Sequence, residues 1–315
     1  MGKLAFLFPG QGSQVVGMGK ELAESNSNAM EIFHKADERL EDNLSALIFE
    51  GPQDKLTLTT NAQPALLTTS IAVLTLFEKA GLKPDYVAGH SLGEYTALVA
   101  AQAISFEDGV YAVRKRGEFM EEAVPNGEGT MAAVLGLDRD RLAQVTDEIS
   151  NGGESVQLAN INCPGQIVIS GTRKGIEQAS VKAKEAGAKR VLPLEVSGPF
   201  HSELMKPAAE KLTGVLNEIT IKDADIPVIA NVSANEMTSS EDIKEKLIQQ
   251  LFSPVQWEDS VRKMISLGVD TFVEIGPGKV LTGLVKKIDR SVNTYVVSDE
   301  ESFQSVMEAL KEEKR

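Results

Sequence analysis

A serine in a Gly-x-Ser-x-Gly pattern is the residue of this chain with the clearest chemical potential. Residues 89–93 have the sequence GHSLG; they follow the short apolar run 86–88 and precede a segment of good helix formers, 94–103. A strand, a sharp turn and a helix in that order are the context in which this pattern predicts a nucleophile elbow. Gly89 and Gly93 would remove the Cβ atoms that a tight turn around Ser91 cannot accommodate. The alternative is a glycine-rich turn in which the serine only caps a helix.

The most suitable base for this serine is His201. A serine hydroxyl is a weak nucleophile that needs a base, and the chain contains three histidines. His90 is adjacent to the serine, where neighbouring side chains normally point apart, and His34 lies in a charged helical segment. His201 lies in an irregular loop, SGPFHS, that leads into a predicted helix, and it follows the serine in the order typical of this arrangement. The alternative is a histidine that caps the start of that helix.

The groups that would support a serine and a histidine are less well defined by the sequence. An acid to orient the histidine cannot be selected, because Glu203, Asp270 and Glu274 are all possible. The backbone N–H of Leu92, the residue after the nucleophile, is the expected first donor of an oxyanion hole. A second donor should follow another strand, and Gln11 in the loop PGQGS is the natural candidate. The alternative for that loop is an ordinary turn.

A predicted helix after the elbow carries a basic residue that could reach a buried site. Apolar residues and one glycine recur at helical spacing, at positions 106, 110, 113, 117 and 120. At 100° per residue Lys115 lies opposite this stripe, whereas Arg114 and Arg116 lie on its two borders. The spacing does not choose between the two arginines.

Composition indicates a globular protein of about two domains. The chain has 315 residues, a net charge of −14 and a sequence pI of about 4.8, so its overall field does not favour nucleic acid or anionic membranes. No run reaches the roughly 18 apolar residues of a membrane span, and the first residues lack the pattern of a signal peptide. The single cysteine, Cys163, excludes an intrachain disulfide and a cysteine-based zinc site. We therefore expect a soluble, cytoplasmic protein.

Sequence patterns that bind cofactors fail at specific positions. The glycines at 10 and 12 are followed by Val15 where a dinucleotide-binding pattern needs glycine. Gly278 and Lys279 are followed by Val280 where a phosphate-binding loop needs serine or threonine. No His-Glu-x-x-His motif or cysteine pair is present for zinc. We therefore expect catalysis by side chains alone, with no cofactor and no metal.

Alternating strand-like and helix-like segments predict an α/β fold with a parallel sheet. Predicted strands include 3–8, 228–231 and 271–275; predicted helices include 29–49, 202–219 and the fully apolar 63–79, which should be buried. We assign residues 1–127 and 198–315 to one large, discontinuous domain that is α/β-hydrolase-like.

A composition change at PNGEG, residues 125–129, indicates a hinge-like segment before a second unit. The segments that follow have the order β-α-β-β-α-β, which is typical of a ferredoxin-like fold. We therefore predict a small, inserted ferredoxin-like domain at 128–197. Its predicted elements are 130–137, 139–149, 156–162, 166–170, 175–186 and 189–196.

Eight segments in order along the chain resemble the malonyl-CoA:acyl carrier protein transacylases of bacterial fatty-acid synthesis. The combination of PGQGSQ, GHSLGEY and GPFHS is highly specific for that family. The matching segments cover nearly the whole chain: FLFPGQGSQ (6–14), NAQPALLTTS (61–70), GHSLGEYTAL (89–98), RKRGEFMEEAVP (114–125), NCPGQIVISG (162–171), VSGPFHSELM (196–205), FSPVQW (252–257) and EIGPG (274–278).

The resemblance implies a ping-pong transfer. Ser91, with His201 as base, would take the malonyl group from malonyl-CoA and pass it to the phosphopantetheine thiol of acyl carrier protein. It implies that Arg116 binds the free malonyl carboxylate and that the main-chain carbonyl at Gln250 holds the histidine. A serine hydrolase or thioesterase with the same elbow is the alternative enzyme, and a non-catalytic carrier-binding module is the alternative of another class.

The expected partners are malonyl-CoA and acyl carrier protein, and we expect the enzyme to be a monomer. A basic run in this acidic chain, formed by Lys182, Lys184, Lys189 and Arg190, is the predicted docking site for the carrier. The alternative for this run is a solvated helix face.

Overall fold

Strands and helices alternate along the part of the chain that the computed structural model describes, residues 2–125 and 127–312. Asn126, in the predicted hinge-like segment, lies outside the described residues. The strands are β1 (Lys3–Phe8), β2 (Tyr86–Gly89), β3 (Gly129–Leu135), β4 (Val156–Cys163), β5 (Gln166–Thr172), β6 (Arg190–Pro193), β7 (Val228–Ile229), β8 (Glu236–Met237), β9 (Val269–Ile275) and β10 (Asn293–Val297). The helices are α1 (Lys20–Ser25), α2 (Ser27–Leu40), α3 (Leu44–Glu50), α4 (Gln53–Thr57), α5 (Thr59–Ala80), α6 (Gly93–Ala100), α7 (Phe106–Glu122), α8 (Arg139–Asn151), α9 (Arg173–Glu185), α10 (Lys206–Glu218), α11 (Ser240–Gln250), α12 (Trp257–Ser266), α13 (Val280–Ile288) and α14 (Glu300–Glu312).

Six strands form the sheet that carries the serine, in the order β10-β9-β1-β2-β7-β8. The pairs from β10 to β7 are parallel, and β8 pairs antiparallel with β7 at one edge. Successive side chains of β1 enter two different apolar clusters: Phe6 and Phe8 lie in one, Ala5 and Leu7 in the other. Because both faces of the sheet are covered, β1 is apolar from Leu4 to Phe8 and all four residues of β2 are buried. The predicted α/β fold with a parallel sheet is confirmed.

Helix α5 is the buried helix that the sequence predicts, and it begins four residues before the predicted start, at Thr59. Helix α7 crosses it with Gly117 at the closest point. A Cβ at this glycine would lie 2.8 Å from the carbonyl oxygen of Thr59 and 2.9 Å from the Cα of Thr60. The absence of a side chain therefore lets the two helices approach closely, and this approach brings Arg116 of α7 beside Gln63 of α5.

A second sheet is antiparallel and has the order β4-β5-β3-β6. Helices α8 and α9 pack on it, and together they form a separate apolar cluster. The connection β3-α8-β4-β5-α9-β6 and this strand order are those of a ferredoxin-like unit. The fold of the small unit is therefore as predicted, while its boundaries at 128 and 197 stay a prediction.

Several predicted boundaries were wrong. The segment 29–49 forms two helices, because Glu41 adopts a left-handed conformation with φ 50° and the carboxylate of Asp37 accepts the N–H of Ser45. Strand β6 ends at Pro193, which has no N–H to extend a ladder. The helix predicted at 202–219 begins as a 3-10 turn, Glu203–Met205, and continues as α10. Strand β10, at the edge of the large sheet, was not predicted.

The close contact between α5 and α7 predicts the effect of adding one methyl group. Gly117→Ala should lower the free energy of unfolding by about 1–3 kcal/mol, because the new methyl group would press on the α5 backbone. Gly214→Ala is the matched control: this glycine is exposed within α10, and no described atom lies within 4 Å of the position of its Cβ. The control should gain about 0.5–1 kcal/mol of stability. Urea unfolding measures both, and an unchanged stability of Gly117→Ala would contradict the contact.

Candidate active site

Ser91 lies on a turn between the end of β2 and the start of α6. Its φ is 52°, in the left-handed region that non-glycine residues rarely adopt. A Cβ on Gly89 would lie 1.9 Å from the carbonyl carbon of Gly93, and a Cβ on Gly93 would lie 2.2 Å from the carbonyl oxygen of Phe8. The turn is therefore possible only with glycine on both sides of the serine, which agrees with the predicted elbow.

Asn231 fixes both sides of this elbow. Its Oδ1 accepts the N–H of Ser91 at 2.7 Å, and its Nδ2 donates to the carbonyl of Gly89 at 2.7 Å. The side chain is fully buried, so these backbone groups have no water to bind in its absence. Sequence reasoning missed this residue. Its position two residues after β7, at the same sheet edge as the elbow, is the signal that could have found it.

The serine hydroxyl contacts the histidine selected from the sequence. Ser91 Oγ lies 2.7 Å from His201 Nε2, and His201 Nδ1 lies 2.8 Å from the carbonyl oxygen of Gln250. Because a carbonyl can only accept, Nδ1 carries the proton and Nε2 is free to accept the proton of the serine. His201 itself has φ 57°, a strained backbone of the kind found at functional sites.

A main-chain carbonyl, and not a carboxylate, therefore orients the imidazole. None of the carboxylates left open by the sequence forms a hydrogen bond with His201 among the described residues. Glu203 and Asp270 are exposed. Glu274 is buried and accepts N–H groups at the start of α13.

The surroundings of His201 keep its imidazole neutral. The side chain is 3% exposed, and this burial, together with the positive charge of Arg116, lowers the pKa of His201 to about 3. The hydrogen bond to the carbonyl of Gln250 opposes the shift without cancelling it. The imidazole is therefore in the form that can accept a proton.

Arg116 is the basic residue of α7 that reaches the site, and it is fully buried. Its guanidinium donates to Gln63 Oε1 at 2.7 Å, to Gln250 Oε1 at 2.9 Å and to Ser91 Oγ at 3.2 Å. All three acceptors are neutral, and no described carboxylate forms an ion pair with this arginine. Arg114 instead binds Asp42 and Asn61 near the surface. The geometry thus distinguishes the two arginines that helical spacing could not.

The side chain of Gln250 joins the arginine to the elbow. Its Oε1 faces Arg116, and its Nε2 donates to the carbonyl of Ser91 at 2.9 Å and to Glu94 Oε2 at 2.7 Å. Burial raises the pKa of Glu94 to about 7. Sequence reasoning also missed Glu94, which lies in a helical segment of ordinary composition.

One cavity of about 170 Å³ is lined by most of the catalytic and substrate-binding residues that the sequence predicts. Other wall residues come from β3 and from the segment that follows β6, so the cavity lies between the two sheets. The backbone N–H groups of Gln11 and Leu92, the two predicted oxyanion-hole donors, have no acceptor among the described residues. The predicted site residues that line the cavity are Gln11, Ser91, Leu92, Arg116 and His201.

Two further residues lie near the site: His90 is half-buried at the cavity wall, and Cys163 is buried. His90 Nε2 lies 2.8 Å from Asn162 Oδ1, and burial lowers the pKa of this histidine. Cys163 at the end of β4 is 1% exposed, and burial raises the pKa of its thiol. Neither group contacts the hydroxyl of Ser91.

The basic run predicted for carrier docking lies on the second sheet and its helices. Lys182 is paired with Glu148 at 2.5 Å, whereas Lys184, Lys189 and Arg190 are exposed. Arg190 begins β6, whose continuation lines the cavity. The role of the run stays a prediction.

Two negative findings apply to the described residues only. None of their helices combines the length and the apolar character required to cross a lipid bilayer. No group of three or more His, Cys, Asp or Glu side chains among them is arranged to hold a metal ion.

Comparison with known proteins gives the family that the sequence resembles, over nearly the whole chain. The family model "Acyl transferase domain" matches residues 5–312. The "Malonyl CoA-acyl carrier protein transacylase" of Bacillus subtilis (strain 168) is 66% identical over 313 residues, which cover 99% of each protein. A crystal structure of an acyl carrier protein S-malonyltransferase from Vibrio cholerae has a TM-score of 0.94 at 45% identity and covers 96% of this chain and 99% of that one. A malonyl-transacylase solved in complex with its type II PKS acyl-carrier protein has a TM-score of 0.94 at 42% identity, with 98% and 99% covered.

The burial of His201 predicts its titration. In the free protein its imidazole should stay neutral from pH 8 to pH 5, because burial and the nearby guanidinium disfavour the imidazolium form. Histidine-labelled protein followed by nitrogen NMR reports the proton on each ring nitrogen. Arg116→Met is the informative variant, since loss of the positive charge should raise the pKa of His201. A midpoint near the ordinary histidine value of about 6.5 in the unsubstituted protein would refute the assignment.

Proposed function

Because this chain belongs to the acyl transferase domain family, we propose that it transfers a malonyl group from malonyl-CoA to acyl carrier protein. The reaction is an acyl transfer between thiols through a malonyl ester on Ser91. A protein that shares 66% of its residues over nearly the full chain is named malonyl CoA-acyl carrier protein transacylase, which supports this substrate class. We propose with it the role in fatty-acid synthesis that the sequence predicts.

The observation that carries the proposal is the buried guanidinium of Arg116, 3.2 Å from the hydroxyl of Ser91. It has neutral partners only, so its charge is not matched by a carboxylate in direct contact. An acyl group with a free carboxylate supplies that charge, and a planar guanidinium can bind it through two hydrogen bonds. An acyl group without a carboxylate leaves the cation unpaired, which accounts for selectivity against acetyl groups.

Acylation begins at the contact between Ser91 and His201. The hydroxyl oxygen attacks the thioester carbonyl while its proton passes to Nε2 of the histidine, and the Gln250 carbonyl stabilises the imidazolium. The backbone N–H groups of Gln11 and Leu92 receive the oxyanion of the tetrahedral intermediate. Collapse of this intermediate breaks the carbon–sulfur bond, and CoA leaves as the thiol with the proton from the histidine.

Transfer to the carrier repeats the same steps with a different thiol. The phosphopantetheine thiol gives its proton to His201 and attacks the malonyl ester, and Ser91 takes the proton back when it leaves. In both half-reactions His201 carries the proton, backbone N–H groups stabilise the oxyanion, and Arg116 binds the substrate carboxylate. We therefore propose that the reaction proceeds without a cofactor.

The substrate carboxylate also affects the base. Arg116 is one of the groups that lower the pKa of His201 in the free enzyme. When a malonyl carboxylate pairs with the guanidinium, that repulsion decreases and the imidazole becomes the stronger base. Binding of the correct acyl group thus favours proton transfer from Ser91.

For the carrier, we propose that it docks beside β6, at Lys184, Lys189 and Arg190, with Lys182 at the margin. Exposed cations suit the acidic surface expected of such a carrier, and the chain that follows Arg190 runs to the cavity. The solved complex between a malonyl-transacylase and its acyl-carrier protein supports a carrier as the partner class.

An adduct on Ser91 tests the proposed function. Incubation with malonyl-CoA and no carrier should give a stable mass increase of one malonyl group on the peptide that contains Ser91. Ser91→Ala should give no adduct and should lose on the order of 10⁴-fold or more in transfer to the carrier. Rapid release of free malonate without acylation of the carrier would instead indicate a hydrolase.

The same assay, with acetyl-CoA as the second donor, tests the role of the arginine. Arg116→Ala should lower kcat/KM for malonyl-CoA by about 10²-fold or more, since two charged hydrogen bonds are lost, and should change that for acetyl-CoA much less. Arg114→Ala is the matched control from the same helix. Equal losses for both donors would exclude a contact with the carboxylate.

Charge reversal tests the docking proposal. Lys189→Glu with Arg190→Glu should raise KM for the carrier and reduce its salt dependence, while formation of the malonyl adduct stays unchanged. Lys182→Glu, which lies in the existing pair with Glu148, should have a smaller effect. An unchanged KM for the carrier in the double variant would exclude this surface.

A further inference from the structure

Glu94 is a buried carboxyl close to the reacting atoms that no step above uses. It lies three residues after Ser91, in the first turn of α6, and is 0% exposed. Its Oε2 accepts from Gln250 Nε2 at 2.7 Å and from the N–H of Asn231 at 3.2 Å. Its Oε1 has no hydrogen-bond partner among the described residues. Burying a carboxyl group with one unpartnered oxygen costs folding free energy. The contacts of its other oxygen indicate the role of the residue.

The first neighbour is the amide of Gln250, whose orientation matters because its two ends differ. The oxygen end can accept from Arg116, whereas the nitrogen end could only oppose it, since both would be donors. The carboxylate of Glu94 accepts from the nitrogen end and so keeps the oxygen towards Arg116. The carbonyl of Ser91 helps at 2.9 Å, but a hydrogen bond to a carboxylate is about twice as strong as one to a neutral oxygen.

The second neighbour is the charge of Arg116 itself. Burial lowers the pKa of this arginine, and the nearby Tyr95 and Glu94 raise it. Lys246, on α11, is a further cation that acts on the carboxyl. Glu94 therefore acts on the guanidinium as a counter-charge without direct contact, because Gln250 lies between them. The side of the guanidinium that lines the cavity stays free for a substrate.

We propose that Glu94 is a positioning residue for Arg116, which acts through the side-chain amide of Gln250 and thereby sets the preference for acyl groups that carry a free carboxylate. The inference rests on the proposed function, because it assigns that carboxylate to the guanidinium. Glu94 does not touch the substrate; it determines where the donors of the arginine point.

Glu94→Gln is the appropriate variant, because it keeps the shape and removes the charge. It should lower the ratio of kcat/KM for malonyl-CoA to that for acetyl-CoA by about tenfold, mainly through a higher KM for malonyl-CoA. Glu274→Gln is the matched control, a second fully buried carboxylate that receives two N–H groups at the start of α13. It should leave the ratio unchanged even where it lowers the melting temperature.

A double-mutant cycle tests whether Glu94 acts through the amide. Gln250→Met removes the amide and keeps the main-chain carbonyl that holds His201. If the proposal is correct, Gln250→Met alone lowers the ratio, and adding Glu94→Gln lowers it little further. Should Glu94→Gln fail to fold, the loss of ratio in Gln250→Met still tests the central contact.

The pH dependence of the malonyl-to-acetyl ratio of kcat/KM distinguishes this role of Glu94 from a purely structural one. Burial raises the pKa of this carboxyl, while the Gln250 and Asn231 hydrogen bonds and the charges of Arg116 and Lys246 oppose the shift, which leaves it at about 7. Below that pH the carboxyl takes up a proton, so the ratio should fall from pH 8 to pH 6 in the unsubstituted enzyme. It should be flat in Glu94→Gln.

The outcomes separate this inference from the proposed function. A lower ratio in Arg116→Ala with an unchanged or higher ratio in Glu94→Gln would overturn only the role of Glu94. Equal losses for both donors in Arg116→Ala would overturn the contact between the arginine and the carboxylate, and with it the role of Glu94. Release of free malonate without acylation of the carrier would overturn the proposed function itself. Independent, additive losses in the double-mutant cycle would show that Glu94 does not act through Gln250.

Discussion

The rest of the site depends on one constraint: a positively charged side chain is buried away from water. The guanidinium of Arg116 is fully buried, and burial without compensation would be strongly unfavourable. Two glutamine oxygens and a serine hydroxyl accept hydrogen bonds from its two terminal nitrogens without neutralising it, while its Nε–H has no partner among the described residues. The protein thus folds with a cation that is solvated by dipoles and is still available to an anion. This arrangement requires the close crossing of α5 and α7 at Gly117, which brings Gln63 within reach.

Gln250 links the histidine and the arginine of the site, because its main chain contacts one and its side chain contacts the other. Its main-chain carbonyl orients the imidazole of His201, and its side-chain amide oxygen accepts a hydrogen bond from the guanidinium of Arg116. It is also the last residue of α11, where main-chain carbonyls have no partner within the helix and are free for other donors. The position of a single helix end therefore couples the geometry of His201 to that of Arg116. A shift of this helix would disturb proton transfer and recognition together.

The sequence predicted the parts of the site that local patterns determine. The elbow follows from glycines two residues on either side of Ser91, and His201 followed from the scarcity of histidines. The order of elements identified the ferredoxin-like unit, whereas the break at Glu41 depended on a local left-handed turn that helical spacing does not reveal. Asn231 and Glu94 were missed, because their partners lie more than one hundred residues away in sequence. Only Asn231 has a sequence signal, its position just after β7. The acid that would orient the histidine remained open for another reason: the group that holds the imidazole is a backbone carbonyl, which carries no side-chain signature.

The burial of the single cysteine has a consequence for an enzyme that handles two thiol-bearing substrates. Cys163 is 1% exposed and its thiol is held protonated by a raised pKa, so little thiolate is present and little of it can be reached. Disulfide exchange needs an accessible thiolate. Oxidised CoA or an oxidised carrier therefore finds no sulfur on the described surface with which to form a mixed disulfide. The burial of this cysteine therefore protects the protein from inactivation by a mixed disulfide when part of the pool of CoA and carrier thiols is oxidised.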